Sequence, residues 1–293
     1  MIFKNTKKNG IKITGNGDIK QGASLLELAL LLVLFFTNST PILWGLITSL
    51  KTRREILVYP PRFINFTFSW EHYQNVFDNG LGLGMRNSLL YAGCTIVLGL
   101  ILGLLAAYGF ERYSFPLKKI LFYIVIAGIP LSIGSAAMLI PNYLYMMNLG
   151  LTNKWYTLIL LYTAYNLPMA IWIMKGGIEA IPLEIEDAAR IDGCSRAYII
   201  TRLIPRLCLP SIASSALFLF IGAWNEFITA AVMIDSPNLR SIQLVIYYFR
   251  GFFGTDWGGL MASAMVAVLP ILLVFSVLGK LMVSGLTQGA VKG

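Results

Sequence analysis

Six apolar runs divide the chain, each separated from the next by a short polar stretch. Leu28 to Leu50 and Asn87 to Phe110 carry no charged residue. Ile120 to Asn153 is also uncharged, but Pro130 and Pro141 interrupt it, which predicts one kinked span followed by a loop. Trp155 to Met174 forms a fourth run, Leu207 to Ile234 a fifth broken only by Glu226, and Trp257 to Gly279 a sixth. A spanning helix needs roughly 20 apolar residues to cross a hydrocarbon core about 30 Å thick. Backbone groups in lipid must be satisfied within the segment, so runs of this length predict helices and not barrel strands. The expected fold class is an all-α membrane protein with six transmembrane helices.

Charge distribution adds an orientation. The arm before the first run carries Lys4, Lys7, Lys8, Lys12 and Lys20 against Asp18. With that arm inside, fifteen basic residues fall on the inner side and eight on the outer. The positive-inside rule then predicts cytoplasmic N- and C-termini. The first run is too long for a signal-peptide core and reads as retained. This divides the chain into a cytoplasmic arm (1–22), a six-helix transmembrane domain (23–284) and a cytoplasmic tail (285–293). Within the domain lie an external loop (51–86) and a cytoplasmic segment (175–206) between the fourth and fifth helices.

Composition agrees with a membrane class. Hydrophobic residues make up 57% of the 293 and charged residues 13%, with mean hydropathy +0.70. Soluble domains carry about 25% charged residues. Cys94, Cys194 and Cys208 lie in or beside apolar segments and His72 is the only histidine, so neither a disulfide framework nor a metal site is expected. The net charge of +9 fits cytoplasmic loops better than a nucleic-acid partner. No G-x-x-x-x-G-K-[ST] loop and no nucleophile elbow occur, so no catalytic residue and no nucleotide site are expected on this chain. GLGLGMRN, near Gly80 to Asn87, lacks the full dinucleotide pattern and reads as a flexible outer connection.

The inner segment between the fourth and fifth runs holds EDAARIDG, Glu186 to Gly193. Pro182 is suited to a helix start, and Glu184, Glu186 and Asp187 complement the positive end of the helix dipole. Gly193 supplies a stop and Ser195 a cap for a following helix. A helix of about ten residues is marginal alone and needs something to dock against. Ile185, Ala188, Ala189 and Asp192 share one face at helical spacing, with two alanines permitting close approach. From pattern alone, an ordinary surface loop containing a short helix fits equally well.

The string IPLEIEDAARIDGCSRAYIITRLIPRLCLP, Ile181 to Pro210, resembles the signature of ATP-binding-cassette (ABC) importer permeases. The matching positions are Glu186, Asp187, Ala188, Ala189, Asp192, Gly193, Pro205 and Pro210, with Asp at the second acidic position where Glu is commoner. The resemblance implies that the short helix is a coupling helix, seated in a cleft of a cytoplasmic ATPase subunit. AYGFERYSFP (Ala107 to Pro116) is similar to an inner loop of carbohydrate-importer permeases. WNEF (Trp224 to Phe227) and the tail GLTQGAVKG (Gly285 to Gly293) resemble the smaller permease of maltose-type oligosaccharide importers. By that likeness Gly289, Val291 and Lys292 would reach the ATPase subunits. The expected assembly adds a second, unlike permease, two ATPase subunits carrying ATP and Mg, and an external solute-binding protein, periplasmic or lipid-anchored. It would import oligosaccharides, maltodextrin-like or acidic such as alginate or pectin fragments, across a bacterial cytoplasmic (inner) membrane. Membrane lipid is the remaining partner.

Polar residues inside the apolar runs are the candidates for a substrate path. Glu226 is the only acidic residue well inside one, and a central charge costs roughly 2.5–3.5 kcal/mol on insertion scales. It reads equally as a path lining shared with Trp224 and Asn225 or as a structural partner for a neighbouring group. Asn142, Tyr143 and Tyr145 are weaker path candidates. The outer aromatics Tyr247, Tyr248, Phe249, Phe252, Phe253 and Trp257 fit an interfacial belt better than a sugar platform. An ion-coupled secondary transporter using Glu226 is the alternative, although no internal symmetry accompanies it.

Overall fold

The computed structural model describes residues 12–13, 19–20, 25–132, 136–251 and 254–289, with side chains over 26–130, 138–251 and 254–282. Helix α1 (Leu25–Ser49) leads through the short α2 (Arg53–Ile56) and α3 (Glu71–Asp78) to α4 (Leu81–Arg112). Then come α5 (Lys118–Ser132), α6 (Ala136–Asn148), α7 (Trp155–Glu179) and α8 (Leu183–Ile191). The short α9 (Arg196–Tyr198), a π-helical turn (Ile199–Leu203) and α10 (Ile204–Leu207) precede α11 (Leu209–Trp224). The order closes with α12 (Ile228–Met233), α13 (Ile242–Tyr248) and α14 (Trp257–Gly289). The strands are two short antiparallel pairs, β1 (Lys12–Ile13) with β2 (Ile19–Lys20) and β3 (Arg250–Gly251) with β4 (Gly254–Thr255).

Among the described residues, four helices are long and apolar enough to cross a membrane: Leu26–Ser49, Leu81–Arg112, Trp155–Glu179 and Trp257–Met282. A fifth candidate is the pair Arg196–Leu207 and Leu209–Trp224, bent by 84°. The third apolar run differs from the expected kinked span and loop. It holds two separate helices, α5 and α6, and each proline sits inside one of them. The segment after Pro141 is helix, because a proline removes a single ladder bond and neighbouring packing tolerates it.

Helices α4, α7 and α11 pack together as the central trio, with α14 on α11 and α1, and α5 on α7. One buried cluster centres on Tyr91, Leu158, Tyr162, Phe220 and Trp224. The other gathers Ala107, Tyr108, Met174, Ile178, Ile199, Ile204, Cys208 and Leu219 around the Arg112 end of α4. The glycine-rich stretch near Gly80 is the first turn of α4 and not a flexible connection. A Cβ at Gly84 would lie 2.9 Å from Val245 Cγ2 and 3.3 Å from Ile242 Cα. The glycine lets α13 seat directly on α4, which is a packing reason for the composition.

Candidate functional site

Helix α8 forms because its signals agree. Pro182 precedes it, Glu184 and Glu186 fall in its first turn, and Arg190 lies in its last. Its end is fixed by Gly193, whose φ of +82° is disfavoured for residues with a Cβ, and by Cys194 N–H donating to Ala189 O at 2.9 Å. Ser195 Oγ then accepts the Tyr198 N–H at 3.2 Å, as a cap should. Beyond it, Pro205 has no N–H to continue the ladder, and the chain widens into the π turn before α10.

The two adjacent acids of the motif face opposite ways. Glu186 is 0% exposed. Its Oε1 accepts from Arg112 Nε at 2.6 Å, and its Oε2 accepts from Tyr108 Oη at 2.8 Å. The same guanidinium donates through Nη2 to Ile178 O at 3.0 Å and Ile181 O at 2.7 Å. The Ile178 carbonyl lies in the last turn of α7 and the Ile181 carbonyl two residues past its end, where intrahelical partners run out. One buried ion pair therefore ties α8 to the ends of α4 and α7. Lys175 strengthens the same corner by bridging Glu111 at 2.8 Å and Glu179 at 2.9 Å.

The outward surface of α8 is of another kind. Asp187 and Ala188 are exposed, Ala189 is half-buried against the cluster at the Arg112 end of α4, and Asp192 and Gly193 are exposed beyond the helix. Among the described residues, Asp187 meets only Arg190, at 3.0 Å. Ile191 is 87% exposed and Leu183 is exposed as well, so apolar side chains stand beside carboxylates on a free face. Pro205 and Pro210 are half-buried in the bent connection to α11. Of the expected tail residues, Gly289 ends α14, while Val291 and Lys292 lie outside the described residues.

A cavity of about 610 Å³ lies between α5, α7 and α11, and Tyr165, Asn166, Asn225, Glu226 and Phe227 are among its walls. It exists because the fifth apolar run is not one continuous span. Helix α11 ends at Trp224 and α12 begins at Ile228, with Glu226 in the break. Its carboxylate accepts the Thr229 N–H at 2.8 Å and the Ala230 N–H at 3.2 Å, two of the donors a helix start leaves free. Gly222 faces the Asn166 amide so closely that any Cβ there would overlap it. The Asn166 amide in turn donates to Tyr162 O at 2.7 Å.

The other path candidates are spread out. Trp224 is buried at 1% exposure in the cluster with Tyr91 and Tyr162, stacked on Phe220 at 5.3 Å, and not in the cavity wall. Asn142 reaches the wall indirectly, donating to Tyr165 Oη at 2.7 Å. Tyr143 packs against the core and Tyr145 is exposed. Tyr165 and Asn166 were missed, although they are adjacent polar residues in the fourth apolar run. Tyr108 and Arg112 were missed as individuals, although both lie in the fragment AYGFERYSFP. Among the described residues no cluster of His, Cys, Asp and Glu is arranged to hold a metal ion.

Comparison with known proteins places these features in a family. The chain is 30% identical over 262 residues to the sulfoquinovosyl glycerol transport system permease protein SmoH of Agrobacterium fabrum, covering 89% of this chain and 91% of that one. It is 30% identical over 264 residues to the diacetylchitobiose uptake system permease protein DasC of Streptomyces coelicolor, covering 89% and 94%. In fold it is similar to a chain of a bacterial ABC transporter involved in the import of the acidic polysaccharide alginate. That likeness has a TM-score of 0.72 at 20% identity, over 87% of this chain and 95% of the other. Residues 99–288 match the family model itself, and the chain belongs to the inner membrane components of binding-protein-dependent transport systems.

Proposed function

We propose that this chain is one of two unlike permease subunits of an ATP-driven importer of neutral oligosaccharides in a bacterial cytoplasmic membrane. The observation that carries the proposal is the α8 corner, where an exposed acidic and apolar face sits on a helix tied to α4 and α7. On this reading the α5–α6 pair is the third of six crossings, the bent pair is the fifth, and both termini are cytoplasmic. Asp187, Ala188, Ala189, Asp192 and Gly193 meet an ATPase subunit, while Glu186 anchors the coupling helix from beneath. Pro205 and Pro210 shape the connection to α11. Gly289, Val291 and Lys292 of the tail form a second contact, supported by the resemblance of GLTQGAVKG alone. Two ATPase subunits bind ATP and Mg and close, α8 moves with them, and the paired permeases turn outward to receive substrate from an external binding protein. ATP drives the change because it binds the closed state more tightly.

The sugar class has two supports. DasC is named for uptake of diacetylchitobiose, a neutral disaccharide, whereas SmoH is named for sulfoquinovosyl glycerol, whose sulfonate is anionic. Among the described residues, the lining of the membrane cavity includes the Glu226 carboxylate and no Lys or Arg, which disfavours an acidic sugar in that cavity. The ion-coupled alternative has no support from the family. The test is a pull-down of the tagged chain from detergent-solubilised native membranes, beside a variant with Ala188→Glu and Ala189→Arg. An ATPase and a second permease should accompany the wild type, and the ATPase should be absent from the variant. Recovery of the chain alone, or as a homo-oligomer, would sink the proposal. Competition for uptake by acidic but not neutral oligosaccharides would overturn the substrate class.

A further inference from the structure

A second hollow, of about 400 Å³, shares Phe227 with the membrane cavity. It falls within the size range of small-molecule sites, about 300–1,000 Å³. Four elements converge on it. Phe227 comes from the break before α12, Gln243 and Tyr247 from α13, Arg250 from β3 and Trp257 from the start of α14. The Phe227 and Tyr247 rings lie 4.9 Å apart and tilted by 43°. Tyr247 and Trp257 are each about half exposed, at 49% and 46%, so each still offers ring surface. The Gln243 and Arg250 side chains have no hydrogen-bond partner among the described residues.

An interfacial aromatic belt accounts for exposed rings but gives no reason for them to flank two polar side chains that lack partners among the described residues. A pyranose does give one. Its C–H face packs on an aromatic ring, and its hydroxyl rim accepts N–H donors of the kind Gln and Arg supply. We propose that this hollow is an outer subsite for one pyranose unit of the transported oligosaccharide, stacked on Tyr247 and Trp257 and hydrogen-bonded by Gln243 and Arg250. Phe227 is then the partition between this subsite and the membrane cavity. The proposal rests on the importer reading above and adds a length dependence to it. A short sugar occupies the membrane cavity alone, whereas a longer one spans both hollows.

The experiment uses the whole importer in proteoliposomes, with its second permease, ATPase subunits and binding protein. Uptake of labelled di- and pentasaccharides of glucose and of N-acetylglucosamine is followed for the wild type, Tyr247→Leu, Trp257→Leu, Gln243→Ala and Trp155→Leu. Trp155 is an exposed aromatic outside the hollow and serves as the belt control. In the series that the wild type takes up, the subsite variants should raise the KM ratio of penta- to disaccharide by about two- to tenfold, the range of one lost aromatic contact. Trp155→Leu should leave that ratio at the wild-type value. An unchanged ratio in the subsite variants, or equal effects of Trp155→Leu and Trp257→Leu, would overturn the subsite while leaving the importer intact. A wild type that takes up neither series defeats the neutral-oligosaccharide reading, and the subsite with it.

Discussion

Glu186→Ala removes the carboxylate on which Arg112 and Tyr108 converge, and its cost follows from burial. The Glu186 side chain is 0% exposed and that of Arg112 is 8% exposed. Removing one member of such a pair leaves a charge without its partner in a low-dielectric site, which costs about 3–5 kcal/mol. Arg112 keeps the Ile178 and Ile181 carbonyls, so the expected loss lies near the lower end, about 3 kcal/mol. The double variant Glu186→Leu with Arg112→Met leaves no buried charge and should recover at least about 2 kcal/mol of that loss. Denaturant titration of the purified complex in detergent, followed by tryptophan fluorescence, measures both. A Glu186→Ala variant within about 1 kcal/mol of wild type, or a double variant no better than the single, would refute the tether.

Asp187→Lys changes an exposed residue on the same helix and should shift stability by no more than about 0.5 kcal/mol while abolishing co-purification of the ATPase. Gly222→Ala places a methyl group against the Asn166 amide and should cost about 1–3 kcal/mol; Asn166→Ala in the same chain should relieve most of it in the same titration. Glu226→Ala removes the acceptor for two N–H groups at the start of α12 and should cost about 1 kcal/mol. Glu226→Gln keeps an acceptor, and its sugar uptake in proteoliposomes should continue independently of an imposed proton gradient. Uptake that fails in the Gln variant alone would restore a role for the charge.

What could be read from the sequence was what local chemistry encodes. The long apolar runs mark α1, α4, α7 and α14, and Pro182, the early acids and Gly193 bracket α8. The break between α11 and α12 was not legible, because Glu226 is the only charged residue from Leu207 to Ile234 and no proline marks the interruption. A carboxylate that closes a helix start looks, in a string of letters, like one that lines a path. The division of labour between Glu186 and Asp187 was hidden for a different reason. Both suit a helix start, and only the position of Arg112, 74 residues upstream of Glu186, decides which acid turns inward. Gly80 to Gly84 read as flexibility because the α13 backbone that requires a bare Cα there lies more than 150 residues away along the chain.

The 84° bend at Cys208 gives the connection between α8 and the cavity two arms of comparable reach. At 1.5 Å per residue, Arg196–Leu207 spans about 18 Å and Leu209–Trp224 about 24 Å. If the pair swings as one rigid body through about 10°, the near tip travels about 3 Å and the Trp224 tip about 4 Å, by the same rise. An angle iron of these proportions passes displacement on at roughly full amplitude and turns its direction by almost a right angle. A push perpendicular to the first arm at its free end would then arrive at the Trp224 tip as a movement along the direction of the first arm, beside the break that holds Glu226.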